Sequence, residues 1–193
     1  MRATLVPIFA ASLAFAVSAT GAQAQEIDRA DQRLEVRGDA PAGCVANAAR
    51  ASKEQGATYQ DNGPTGGVVV FPNLVDQSTA TTRESSIELA LPVVCNTSHR
   101  ITVRSYNGGL VRLGANAARS GSGGFSEVQT YDVALQWQQQ SVQLGGQIGS
   151  AAISYNQPAK GDLIVDIAVP RGTQPLVAGT YSDAVVVEIR PAN

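Results

Sequence analysis

Residues 179–193 read GTYSDAVVVEIRPAN, and how this stretch is read decides the fold. From Tyr181 to Ile189 the odd positions are Tyr, Asp, Val, Val and Ile, while the even ones are Ser, Ala, Val and Glu. Mostly apolar against mostly polar at a spacing of two is a β-strand with one buried face. Only Arg190, Pro191, Ala192 and Asn193 follow, so no later segment is expected to pair with this strand. Either it is interior or something else covers its edge.

Working outward, four more segments alternate in the same way. Ile87, Leu89, Leu91, Val93 and Cys95 share one face; Ile101 and Val103 begin a second; Tyr131, Val133, Leu135 and Trp137 form a third; and Leu163, Val165, Ile167 and Val169 a fourth. Shorter runs at 66–71, 109–113, 140–146 and 150–155 are further candidate strands. DNGPTGG, SYNGG, SGSGG and YNQPAKGD supply the turns between them. Short strands at intervals of about ten residues, with glycine-rich turns and no long helical pattern, predict an all-β fold of antiparallel sheets, a sandwich or a barrel. The Ala-rich stretch 42–57, AGCVANAARASKEQGA, is the exception and is expected as a short helix or a mobile loop.

The beginning of the chain has a different character. Arg2, an apolar run from Leu5 to Val17 and the small-residue site Ala22-Gln23-Ala24 match an export signal over residues 1–24. A membrane span would need about 20 continuous apolar residues, and Ser18, Thr20 and Gln23 interrupt the run. Residues 25–41 are charged and poor in apolar groups and are expected as an N-terminal arm, ahead of a sandwich domain over 42–193. The 169 residues from Gln25 onward carry a formal charge of −3, which gives no indication of nucleic-acid binding.

Cys44 and Cys95 are the only cysteines. In an exported chain two cysteines are expected to pair; a metal site or a reactive thiol is the alternative. The only histidine, His99, is expected as an exposed strand-end residue, and two cysteines with one histidine in this arrangement lack the usual metal-ligand spacing. No metal, cofactor or catalytic residue is predicted. The sequence contains no nucleophile-elbow, metalloprotease or phosphate-loop motif, and no nucleophile and base can be paired. Asp183, on the apolar face of the last strand, is expected to be hydrogen-bonded or wet. Arg37-Gly38-Asp39 spells an adhesion tripeptide, and Asn96-Thr97-Ser98 a glycosylation sequon, but both matches are too short to carry a role; the second is read as a turn after Cys95.

Four stretches together resemble the spore-coat-U-like proteins, which include the pilin subunits of archaic chaperone-usher pili. They are PAGC at 41–44, LPVVCNTSHRITVRSYNGG at 91–109, YDVALQW at 131–137 and, most specifically, LIVDIAVPRGTQPLVAGTYSDAVVVEI at 163–189. The resemblance implies an immunoglobulin-like sandwich lacking its last strand, so that the C-terminal strand borders an open groove. Tyr181, Val185, Val187 and Ile189 would then line an acceptor groove filled by a neighbour's N-terminal arm, with Ala30, Gln32, Leu34 and Val36 as the donor positions. It further implies a structural or adhesive pilus subunit, a periplasmic chaperone, an outer-membrane usher and other pilus subunits as partners, and passage through the periplasm to the cell surface. The alternative is a self-contained secreted β-sandwich, a binding or coat protein whose own arm completes the fold.

Overall fold

The computed structural model describes residues 35–63, 66–116, 119 and 121–192. The chain divides into two units, Met1–Asp39 and Ala40–Asn193; the account below concerns the second. Its strands are β1 (Cys44–Ala46), β2 (Arg50–Gln55), β3 (Thr58–Asp61), β4 (Gly67–Val70), β5 (Ser85–Cys95), β6 (His99–Ser105), β7 (Leu110–Arg112), β8 (Val128–Gln129), β9 (Asp132–Trp137), β10 (Gln140–Leu144), β11 (Gly149–Tyr155), β12 (Ala159–Val169), β13 (Tyr181–Ser182) and β14 (Val185–Pro191). The fold is all-β and antiparallel in all its strand pairs, as the alternating segments predict.

Two sheets share one apolar core. The larger runs β1-β5-β12-β9-β10, with β2 also on the outer edge of β5; the smaller runs β11-β6-β14. Ile87, Leu89 and Val93 on β5, Leu163, Val165 and Ile167 on β12, and Val133, Leu135 and Trp137 on β9 meet Ile101 and Val103 on β6 and Ile153 on β11 in a single cluster. This is the packing of a β-sandwich, in which period-two strands bury one face each. The register is fixed by that burial, since slipping β12 on β5 by one residue would turn Leu163, Val165 and Ile167 outward.

The stretch 42–57 departs from expectation, because it forms β1 and β2 rather than a helix or loop. Both pair with β5, β1 through three register pairs and β2 through five with a register shift between Ala51 and Lys53, and so satisfy an edge that would otherwise stay open. Alanine content is a weak local preference, and an available strand edge overrides it. β2 is polar and exposed along its whole length, with Lys53 and Ser52 bonded to Glu88 and Arg50 bonded to Asp162.

The last strand is also interrupted. Tyr181 and Ser182 form β13, which joins β7 and β8 in a small separate sheet, and only from Val185 does the chain run beside β6. The break is made by Asp183. Its carboxylate accepts bonds from Ser105 Oγ at 2.5 Å, Tyr131 Oη at 2.7 Å, and the amides of Asn107 at 2.9 Å and Ala184 at 2.7 Å. Asp183 is thus hydrogen-bonded, one of the two alternatives its apolar face suggested. Burial, and then the bond to Asp183, push the Tyr131 phenol well above the usual tyrosine range.

Candidate functional site

Among the described residues the sheets end in unpaired edges that include β10, β11 and β14, and the candidate site is the outer edge of β14, the strand with which the chain's strand order ends. On one side β14 pairs with β6; among the described residues no strand pairs with the other. The amide of Tyr106 donates to Ala184 O, and that of Ala192 to Ser98 O. Because both backbone groups of a residue in an antiparallel ladder point to the same neighbour, and alternate along the strand, even-numbered residues of β14 face β6. Val185, Val187 and Ile189 therefore turn their N–H and C=O groups to the open edge. Pro191 is in the same phase, so its missing N–H removes no bond to β6.

The side chains of these three residues point into the sandwich yet remain half-buried. Burial falls steeply toward this side of the core. One strand further in, Ile101 and Val103 on β6 and Leu163 on β12 are 0 % exposed. At the margin, Leu91 on β5 and Cys44 on β1 share the half-buried state of Val185, Val187 and Ile189. Leu91 lies where the cover of β5 is broken, because β1 ends opposite Val93 and β2 begins opposite Ala90. On the other side of the sandwich β10 leads into β11 through residues 145–148; there Leu144 and Ile153 are buried, while Val142, Ala151 and Tyr155 are half-buried. On one side the chain itself links the two sheets through residues 145–148; on the other, where β1 approaches β14 without pairing to it, a half-buried apolar margin lies beside a backbone edge that no described strand pairs.

Of the predicted groove residues, Val185, Val187 and Ile189 come together on this edge. Tyr181 stands apart on β13, its hydroxyl donating to Val177 O at 2.6 Å and Ser126 O at 3.2 Å. Leu91 and Cys44 join the margin without having been singled out as groove residues; Leu91 lies on an alternating face, but only the interrupted partner strand reveals its exposure. Of the donor positions, Ala30, Gln32 and Leu34 lie outside the described residues, as does the export signal over residues 1–24. Val36 is 86 % exposed and in no strand.

A disulfide joins Cys44 to Cys95 and pins β1 to the end of β5. Asn96 reinforces the attachment: its Oδ1 accepts from the Gly43 amide and its Nδ2 donates to Pro41 O, both at 2.8 Å. His99 corrects its prediction, because it is 1 % exposed rather than a solvent-facing strand end. The turn at 96–98 carries the chain from one sheet to the other, so the first residue of β6 already faces the core. Trp137 Nε1 donates to His99 Nε2 at 2.8 Å, and Thr97 O stands 2.9 Å from Nδ1. A carbonyl only accepts and an indole N–H only donates, so Nδ1 carries the proton and the ring is neutral.

Folding brings the sulfurs of Cys44 and Cys95 and a ring nitrogen of His99 within 4.8 Å of one another, a proximity that their sequence spacing did not indicate. Yet the sulfurs are bonded to each other and both imidazole nitrogens are engaged. This donor set is occupied by the protein's own bonds and is a core anchor.

A buried ion pair lies at the far end of the small sheet. Glu127, 4 % exposed, receives Arg112 Nε at 2.9 Å and Arg112 Nη2, while its second oxygen accepts the Asn116 amide at 2.9 Å. The amide bond first, and Arg112 next, hold the Glu127 carboxyl below its ordinary value. The geometry is that of a brace tying Arg112, Asn116 and Glu127 together.

The fold and its bonds thus define an all-β, disulfide-linked sandwich whose last strand pairs with β6 on one side and, among the described residues, with no strand on the other. Compared with protein-family models, with curated proteins and with solved structures, the chain matches none.

Proposed function

We propose that this chain is a structural or adhesive subunit of a surface pilus, assembled by donor-strand exchange with the help of a periplasmic chaperone and an outer-membrane usher. In this reading the sandwich is immunoglobulin-like and one strand short. A strand from the N-terminal arm of another subunit lies along β14, a case of β-augmentation. The observation that carries the reading is the pairing of two deficits at one place. Val185, Val187 and Ile189 offer unpaired backbone groups to the same side on which their apolar side chains are left half-buried.

An incoming strand would complete both. Finishing the burial of each side chain is worth on the order of 1 kcal/mol, and each ladder bond about 1 kcal/mol net. Left bare, such an edge invites uncontrolled pairing, which gives a chaperone its task. The reading involves no catalysis, cofactor or nucleic acid.

The test uses the sandwich and a synthetic peptide of residues 25–37, QEIDRADQRLEVR. Peptide binding should raise the unfolding midpoint, and replacing Leu34 and Val36 of the peptide by serine should abolish the effect. A full chain that purifies as a stable monomer, unfolds cooperatively and ignores the peptide would overturn the proposal in favour of a self-contained secreted sandwich.

A further inference from the structure

The outward face of the β11-β6-β14 sheet is basic and without an assigned role. Alternation places Arg100, Thr102, Arg104 and Tyr106 along this face of β6 and its extension, with Ser150, Ala152 and Ser154 beside them on β11 and Val186, Glu188 and Arg190 on β14. Three arginines thus meet one carboxylate, on a chain whose overall charge is negative. All three arginines are exposed.

Arg100 and Arg190 are direct cross-strand partners, an arrangement in which like charges repel and weaken the sheet. Arg190 is relieved by Glu188 on its own strand. Arg100 reaches the Ser154 hydroxyl, at 3.3 Å. Arg104 lies over the Tyr106 ring, 5.5 Å from its centre. Among the described residues neither Arg100 nor Arg104 has a carboxylate within ion-pair distance. Uncompensated like charges on a rigid sheet form a pre-set binding surface for an anion.

We infer that this face binds a linear polysaccharide bearing carboxylate or sulfate groups. Arg100 and Arg104 stand about 13 Å apart at 3.3 Å per residue, which suits charges spaced along a polymer rather than one small anion. The side chains between and beside them, Thr102, Ser150 and Ser154, offer hydroxyls to a hydroxyl-rich chain and leave no bulk in its path. A lipid surface fits less well, because the face carries no large exposed aliphatic side chain to insert. Nucleic acid fits less well too, because its dense charge would meet only three cations on an acidic protein, and the exposed aromatic here already has Arg104 on its ring. The two arginines without a carboxylate partner stand on β6, not on the outer edge of β14, so the inference does not require the assembly reading.

The test is binding of the full chain to immobilised heparin and polygalacturonate, with dextran and single-stranded oligo-dT for comparison, at about 50 and 300 mM salt. Binding to at least one acidic glycan, weakened by salt and absent on dextran, is expected. Arg100→Ser/Arg104→Ser should weaken it about tenfold or more, while the charge-matched Arg83→Ser/Arg171→Ser should leave it within about twofold. Near-ultraviolet circular dichroism confirms that each variant is folded. No binding to either glycan, equal losses in the two variants, or tighter binding to oligo-dT would each overturn the inference.

Discussion

Trp137 donates its indole N–H to His99 Nε2 at 2.8 Å, joining β9 of one sheet to the first residue of β6 in the other beside the Cys44–Cys95 disulfide. Both side chains are almost wholly buried, so neither group has water to fall back on. His99→Phe keeps a ring in place but strands the indole N–H, and should cost about 1–3 kcal/mol. Trp137 is the only tryptophan, so its fluorescence reports urea unfolding directly. An unchanged midpoint in the variant would show that the bond contributes nothing net.

The direction in which each backbone group of β14 points gives a sharper test of the open edge. Val187→Pro removes an N–H that faces away from β6, whereas Glu188→Pro removes one that faces β6. The first should leave a cooperatively folding sandwich that no longer binds the 25–37 peptide. The second should lose about 3 kcal/mol or more of stability. Urea denaturation and peptide titration of the two proteins separate these outcomes, and equal damage from both prolines would refute the assigned phase.

The disulfide closes a loop of 51 residues in sequence separation, and on a loop-entropy argument it stabilises by about 4 kcal/mol. Cys44→Ser/Cys95→Ser should lower stability by roughly that amount. The variant should also speed proteolysis within 41–47, because without the bond β1 is held to β5 by a short three-pair ladder and by the hydrogen bonds of Gly43, Pro41 and Asn47 to Asn96 and Pro92. Mass spectrometry of early digestion products checks the second point.

Acid should act through Glu127. Its folded pKa lies below the ordinary value, so the stability it contributes is fully present above the usual glutamate range and is lost as pH falls through the lowered value. Glu127→Gln should be less stable than the parent at neutral pH and should show a flatter loss of stability below about pH 4.5. Identical pH profiles of unfolding midpoint would exclude the assignment.

Removing Asp183 should cost more than removing one of its donors. Asp183→Ala leaves Ser105 and Tyr131 without their acceptor in a largely buried site, with an expected loss of about 3 kcal/mol. Tyr131→Phe surrenders the bond to Asp183 and the longer one, at 3.4 Å, to Ser105 Oγ, and should lose about 1 kcal/mol. Chemical denaturation of both variants and the double variant measures the coupling.

Period-two alternation is a local property, and it made the strands, their buried faces and the sandwich class legible from the chain alone. Two cysteines in a chain read as exported likewise pointed to the bond that folding forms. The sequence did not reveal that 42–57 would become β1 and β2, because that outcome depends on an edge of β5 some forty residues away. Nor could it place His99 in the core, since the turn at 96–98 decides which way the first residue of β6 faces. The run from Tyr181 to Ile189 reads as one strand, and only the four bonds to Asp183 split it between two sheets. The half-burial of Val185, Val187, Ile189 and Leu91 was likewise invisible, because apolar alternation states which face a side chain takes but not whether another strand covers it. Local periodicity thus determined the elements and their inward faces, whereas exposure at the sheet margins came from pairing across long sequence separations, which the tertiary structure alone decides.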